Sequence, residues 1–532
     1  MMTLSGCARA AAILALAVLA TPAGATTWTV DCSSLSNSTA SNGTTMMTGL
    51  TPQNALGTVL GTPISPPLFQ PPPVAGDVIQ INSICSEDIL VRIPGLTITN
   101  DSGSPDTLTV GDGIQGQLEF AGVGNTVIDG ILIGNDSGPF ALGAADIANL
   151  YVHDGASVAL KNSQVANGPF IGILVARSSA VSVIDATVSG NGNGMATDNA
   201  NNMGILATSS ATVVLGNGDG TGPATIETNA GSGVVVSDGS SLVVNAATIA
   251  GNATEAGGNG LAQVLLLGAS SGFITGQNAA ATTITAPSAG CCQAIFAGGA
   301  STLDVEQGAA IVGNKAHAAI ALDASTLLLQ GSVVSSGVGA SSPGASEPTI
   351  HGTGNSVVAL AGNNNVCFGT PGPGATCTAN SGGIALGVDH VSTLIQVPGK
   401  VLGYPSASDT VSGGGSVLLQ STVDLGLGLV SSGPSLVPSL SWNTSGAAIN
   451  VAQNSSFRLD GGTNITGALK LTQSSNGFFN QSSGGTNTVS GGVACNFNTV
   501  PATHVAGPTF VSPTLTLAGS MVSVPKGQCL GF

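Results

Sequence analysis

The sequence predicts an all-β fold: a single right-handed parallel β-helix, built from three-strand coils of about 30 residues and closed by terminal caps. Three observations carry that prediction. First, Gly accounts for 78 of 532 residues, while charged residues make up 7% and aromatics 3%; an ordinary globular chain carries about 25% charged residues. Second, hydrophobic residues still reach 42% and fall in short strand-like runs. Disorder, which needs low hydrophobicity and high charge, does not describe such a chain, nor does collagen with its three-residue glycine period. Third, the runs recur.

Taken in order, residues 1–25 read as a secretory signal peptide. Arg9 supplies the positive start, the run from Ala10 to Ala20 is apolar, and Ala23-Gly24-Ala25 fits the small-residue cleavage pattern. The run is shorter than the roughly 20 residues a membrane span needs. Gly, Ser and Asn interrupt every later one, so no transmembrane segment is expected in the mature chain. Leu4-Ser5-Gly6-Cys7 resembles a lipoprotein box but precedes the apolar run. Residues 26–75 are Ser/Thr/Asn-rich and then Pro-rich, which suits a lead-in and cap because proline cannot donate to a sheet ladder. Residues 76–500 form the predicted β-helix, and residues 501–532 a C-terminal tail and cap.

The repeat is clearest where Gly172-Ile173-Leu174-Val175 aligns with Gly204-Ile205-Leu206-Ala207 and Gly233-Val234-Val235-Val236. Looser copies begin at Val264, Ala294 and Ala319. Each unit adds a second strand (Val181-Ser182-Val183-Ile184) and a third before an Asn/Gly turn (Thr187-Val188-Ser189-Gly190-Asn191). Three strands per unit suit one turn of a solenoid, each strand about 4.8 Å above its equivalent. The handedness follows from the chirality bias of parallel crossovers. A β-propeller would need four antiparallel strands in units of about 40–50 residues. Equivalent positions stack, so a repeated charge would meet its own copy, and the low charge content follows.

Eight cysteines remain once Cys7 is removed with the signal peptide. In an exported chain they favour disulfides. Cys367 and Cys377 bracket a Gly/Pro loop, Cys32 with Cys85 would tie the N-terminal segment to the first coil, and Cys495 with Cys529 would tie down the tail. The partners of Cys291 and Cys292 stay open.

The segments Gly76-Asp77-Val78-Ile79-Gln80-Ile81, Val91-Arg92-Ile93-Pro94-Gly95-Leu96-Thr97-Ile98 and Thr126-Val127-Ile128-Asp129-Gly130 resemble the first coils of pectin-lyase-like β-helix proteins. The later units resemble the parallel β-helix repeats of bacterial secreted and surface proteins. The resemblance spans roughly residues 76–495 and implies the fold; it does not choose among lyases, hydrolases, adhesins and passenger domains.

A search for chemistry yields one ladder. Asp154, Arg177, Ser209 and Asp238 occupy equivalent positions in consecutive units, with His153 beside Asp154 and Lys161 on the next strand. Read for function, this is a carboxylate–Arg–His cluster that could bind or cleave an acidic sugar; read structurally, it is a solvated ion pair at a strand end. Asp389-His390 matches a dipeptide of pectate-lyase motifs but lacks their Trp and paired Arg residues. His351 is expected in a turn, and Phe478-Phe479 at the capped end. A flat, regular column of outward Thr and Ser could bind ice or mineral, and the irregular unit lengths argue against one.

With 26 acidic and 9 basic residues, the net charge of −17 leaves no basic patch to neutralise phosphates, so nucleic acid is not an expected partner. The expected function is that of a secreted or envelope-associated, non-catalytic scaffold or adhesin-like module, extracellular, at the cell surface or periplasmic, with polysaccharide or a cell-surface ligand as partner. The alternative is a polysaccharide lyase or glycoside hydrolase acting on an acidic polysaccharide in the outer groove, and only that alternative calls for a Ca2+ ion. No other cofactor or metal is expected.

Overall fold

The computed structural model describes residues 25–100, 112–134, 148–192, 202–218, 222–253, 262–276, 281–286, 293–313, 317–336, 348–362, 364–371, 377–379, 383–396, 408–425, 439–460, 463–472, 475–480, 487–491, 493–496, 515–517 and 522–524. Its core is a parallel β-helix with three faces. Ile171–Val175 lies on the first face, Ala180–Ile184 on the second and Thr187–Ser189 on the third. Each strand pairs in parallel with its equivalent one coil on, Ile205–Ala207, Thr212–Leu215 and Ala224–Glu227. Alternate side chains point inward and form columns: on the first face Ile173, Ile205, Val234, Val264 and Ile295 stack in register, all without solvent exposure.

The column continues through Ala319 and Ile350, so successive repeats measure 32, 29, 30, 31, 24 and 31 residues. Two of the looser sequence copies therefore start one residue early in the register, at Gln263 and Ala318, not at Val264 and Ala319. The stack also begins before Gly76: Thr27–Asp31 pairs in parallel with Val78–Asn82.

What keeps coils of unequal length in register is the corner between the first and second faces. It is a four-residue link in every coil from 176–179 to 389–392. Two consecutive residues there adopt the left-handed conformation, as in Arg177 and Ser178 (φ 53° and 61°) and Ser209 and Ser210 (φ 58° and 63°). The second N–H of each pair donates to the first carbonyl of the next coil: Ser178 to Ser209 at 3.0 Å, Ser210 to Asp238 at 3.1 Å. A buried serine follows. Ser270, Ser301, Ser325 and Ser356 each donate their backbone N–H to the hydroxyl of the next, Ser301, Ser325, Ser356 and Ser392, at 3.0–3.3 Å. The variation in length sits at the other corners, such as residues 216–223 and 190–204.

Where the third face turns back to the first, buried asparagines form an amide ladder. Asn149 donates to Asn191 at 3.0 Å, Asn191 to Asn229 at 2.8 Å, Asn229 to Asn252 at 2.7 Å, and Asn252 to the Gln263 amide at 2.8 Å. Each rung also bonds backbone groups, so no amide is left unpaired along the run from Asn191 to Asn252. The ladder explains the repeated glycines. A Cβ on Gly172, Gly204 or Gly233 would come 2.7 Å from the Asn191, Asn229 or Asn252 amide nitrogen.

On the outer side of the second face, stacked positions read Ser157, Ala180, Thr212, Ser241, Ser271, Thr302, Thr326, Val357, Thr393, Thr422 and Ser456. The expectation that unequal repeats would break up such a column is overturned, because the length differences are absorbed away from this face.

Both ends are closed. At the N-terminus Ser38–Ser41 pairs antiparallel with Thr27–Asp31 and Met46–Leu50 antiparallel with Ser38–Ser41, extending the second face, and the fully buried helix Ala55–Leu60 covers the core. Cys32 and Cys85 are disulfide-bonded with Cα atoms 5.3 Å apart. At the other end Val522–Val524 pairs antiparallel with Asn476–Asn480, and Leu515–Leu517 with Asn487–Val489. Cys367 is disulfide-bonded, and Cys377–Ala379 returns antiparallel beside its strand. The side chains of Cys377, Cys495, Phe478 and Phe479, and residues Cys291, Cys292, Cys529 and 1–24, lie outside the described residues. Among the described residues no helix is long and apolar enough to cross a membrane.

Two predictions follow from these contacts. Asn229→Ala strips partners from two buried amide neighbours, so it should lower stability by about 1–3 kcal/mol per orphaned group, read from denaturant midpoints against an exposed control, Thr302→Ala. Glu87 accepts the Leu56 and Gly57 N–H groups of the capping helix at 2.6 and 2.8 Å. Its burial pushes its carboxyl from 4.5 up to about 8. A carboxyl raised in the folded state contributes stability that is full below its unfolded value and lost as pH rises through its folded value. Amide exchange in residues 55–60 should therefore accelerate, beyond its intrinsic pH dependence, between about pH 5 and 8.5, and Glu87→Gln should flatten that change.

Candidate functional site

The predicted ladder is real, and it stands at the edge where the first face meets its corner. In Ala148–His153 the alternation turns Leu150 and Val152 into the core and Tyr151 and His153 outward. Glu119 lies beside Tyr151 one coil earlier. His153 Nε2 sits 2.7 Å from Glu119 Oε1, and Nδ1 2.8 Å from Asp154 Oδ2. From the next corner, Arg177 Nη1 donates to Asp154 Oδ1 at 3.2 Å. Tyr151 stacks on the His153 ring with centroids 4.3 Å apart. The His153 side chain is 9% exposed and that of Arg177 62%.

Hydrogen bonds, from His153 first and Arg177 second, hold the Asp154 carboxyl below its ordinary value. The bond to Asp154 in turn raises the Arg177 guanidinium, and burial raises the Tyr151 hydroxyl. Glu119 is the member sequence reasoning missed. Its signal was positional: it is one coil from Tyr151 on the same outward column.

The other ladder residues stand apart. Lys161 lies around the corner on the second face, stacked on Asp129. Asp238 is two corners beyond Arg177 and accepts from the Thr208 hydroxyl at 2.7 Å.

A second cluster occupies the same edge seven coils on. His351 was expected in a turn; it lies instead in the strand Pro348–Gly352, stacked on Ile320, at the column position that Tyr151 holds. His351 Nε2 is 3.0 Å from Asp389 Oδ2, and His390 Nδ1 is 2.7 Å from Asp389 Oδ1. The His317 ring stacks against His351 at 5.2 Å. Burial raises the Asp389 carboxyl, but hydrogen bonds from Thr353, His390 and His351 outweigh it and hold the group below its ordinary value. Three of the chain's five histidines meet here. Among the described residues, no group of three or more His, Cys, Asp or Glu side chains is arranged to hold a metal ion.

Both clusters join adjacent coils through opposite partners, which is what stacked corners permit. His153→Ala should lower the thermal midpoint clearly, because it removes a nearly buried ring that bridges Glu119 and Asp154, at a cost of about 1–3 kcal/mol. Arg177→Ala, removing an exposed partner, should leave the midpoint nearly unchanged; equal losses in thermal denaturation would contradict this division. Comparison with known protein families finds none that matches this chain, and comparison with curated proteins finds no similar one.

Proposed function

We propose that the chain is an exported, non-catalytic β-helix that serves as a surface scaffold of adhesin type, presenting its outer faces to a ligand. One observation carries this reading: the ionisable groups of the His153 cluster satisfy one another. Both ring nitrogens of His153 face carboxylates, and Asp154 also holds Arg177. A general acid or base must offer a free nitrogen or carboxyl to the substrate, and this histidine offers neither nitrogen. Aromatics are scarce, 3% of the chain, which leaves few of the usual stacking platforms for sugar rings. Export is part of the proposal; the Cys32–Cys85 disulfide suits an oxidising compartment.

A second reading has its own support in the convergence of Glu119, His153, Asp154 and Arg177 through contacts of 2.7–3.2 Å. In that reading the chain is a lyase or hydrolase of an acidic polysaccharide. Arg177 then neutralises a uronate carboxylate, and the His153–Asp154 pair moves the proton.

Incubation of the purified protein with acidic polysaccharides separates the two. The expected outcome is no unsaturated-uronate absorbance and no new reducing ends, together with binding on an array of glycans and cell-surface proteins. Turnover that disappears in Arg177→Ala or Asp154→Ala would replace the scaffold reading with the enzymatic one.

A further inference from the structure

On the outer side of the second face a half-turn brings acidic positions onto basic ones, and from this self-complementary pattern we infer that the chain pairs with a second copy of itself through this face, the two solenoids antiparallel. This inference is independent of the proposed function.

The charges set the alignment. Near the N-terminal end, Asp129 is followed one coil later by Lys161. Near the C-terminal end, Asp424 is followed one coil later by Arg458, with Arg458 Nε 3.9 Å from Asp424 Oδ1. Asp129 lies five coils before the Phe273 strand, and Arg458 five coils after the Asp304 strand. A two-fold axis running along the strands between Phe273 and Asp304 therefore sets Asp129 against Arg458, and Lys161 against Asp424. The acidic and basic partners are offset along the strand by two residues, about 7 Å, a gap that Lys and Arg side chains span. Such a contact is isologous: the same patch serves both copies.

The side chains between these charges fit the same axis. Val243 falls opposite Leu328, and the small Ser182 opposite the large Ile395. At the axis Phe273 faces Asp304, whose carboxylate is already held by the Gln330 amide at 2.8 and 3.0 Å. The neighbouring Ser/Thr column adds hydroxyls that donate or accept as the partner requires, and Ser271 and Thr302, which straddle the axis, are exposed.

The size suffices. The patch spans eleven coil steps, about 53 Å, and a strand width of about 13 Å. That is about 700 Å2 per copy, or about 1,400 Å2 in all, within the range of a specific interface. A net charge of −17 opposes the approach of two copies elsewhere, whereas in this alignment Asp129 and Asp424 each meet a basic side chain of the other copy.

Light scattering after size exclusion, with small-angle X-ray scattering, tests the inference on the purified chain. The expected result is a dimer with side-by-side solenoids. Leu328→Glu, an outward change, should weaken dimerisation at least tenfold while far-UV circular dichroism stays the same. Lys161→Asp should also weaken it, and adding Asp424→Lys should restore it; this pair decides the matter if Leu328→Glu fails to fold. A monomer through the high-micromolar range would overturn the inference. So would a dimer untouched by Leu328→Glu or a Lys161→Asp defect that Asp424→Lys leaves unrepaired, as expected if the face instead meets a different partner.

Discussion

The backbone bond that joins each first corner to the next governs the rest of this fold. A pair of left-handed residues turns the chain, and the second of them reaches the carbonyl of the corresponding residue one coil on, as Ser178 reaches Ser209. Left-handed backbone costs an L-residue roughly 1–2 kcal/mol, so the geometry persists only because the stack over-determines it. Once that corner is fixed at four residues, the strands on either side begin in register. The aliphatic columns, the serine ladder and the outward hydroxyl column all follow from it.

Parallel stacking also dictates which side chains can repeat. Each position meets its own equivalent, so groups that donate and accept gain from repetition, and groups of one charge lose by it. Asparagine suits the third corner because its amide donates to one neighbour and accepts from the other. Charge appears on the outer faces as opposite pairs across one coil step: Asp129 with Lys161, Asp154 with Arg177, Asp424 with Arg458. The histidine clusters obey the same rule, with Glu119 beneath His153 and Asp389 above His351. Both are consequences of stacking before they are evidence of chemistry, and this weakens any catalytic reading of them.

Much of this architecture was legible in the sequence, for identifiable reasons. Gly172, Gly204 and Gly233 mark the strand start because an asparagine amide fills the space a Cβ would need. Where Gln263 and Ala318 replace that glycine the marker vanishes, and the alignment slips by one residue. The Asp154–Arg177 contact was readable because the corner has constant length, so equivalence in sequence became adjacency in space. His351 was not, because a histidine between Ile350 and Gly352 reads as a turn until the Ile350 column is traced from Ile295 through Ala319. The asparagine ladder escaped because Asn191 and Asn252, each after a glycine, signal a turn whether or not the side chain is buried, and Asn149 and Asn229 carry no such mark.

The distribution of irregularity matters more than its amount. Repeats vary between 24 and 36 residues, yet the first corner does not vary over eight consecutive coils. Insertions at the other corners leave strand register intact, since a loop may lengthen at little entropic cost once its ends are fixed. An insertion at the first corner would disturb the hydrogen-bonded stack of left-handed pairs that joins consecutive corners. The second face, bounded on one side by this invariant corner, is thereby kept regular along the solenoid. A regular surface of that kind suits a partner whose own contacts recur at the same spacing, and another copy of the same solenoid meets that condition by construction.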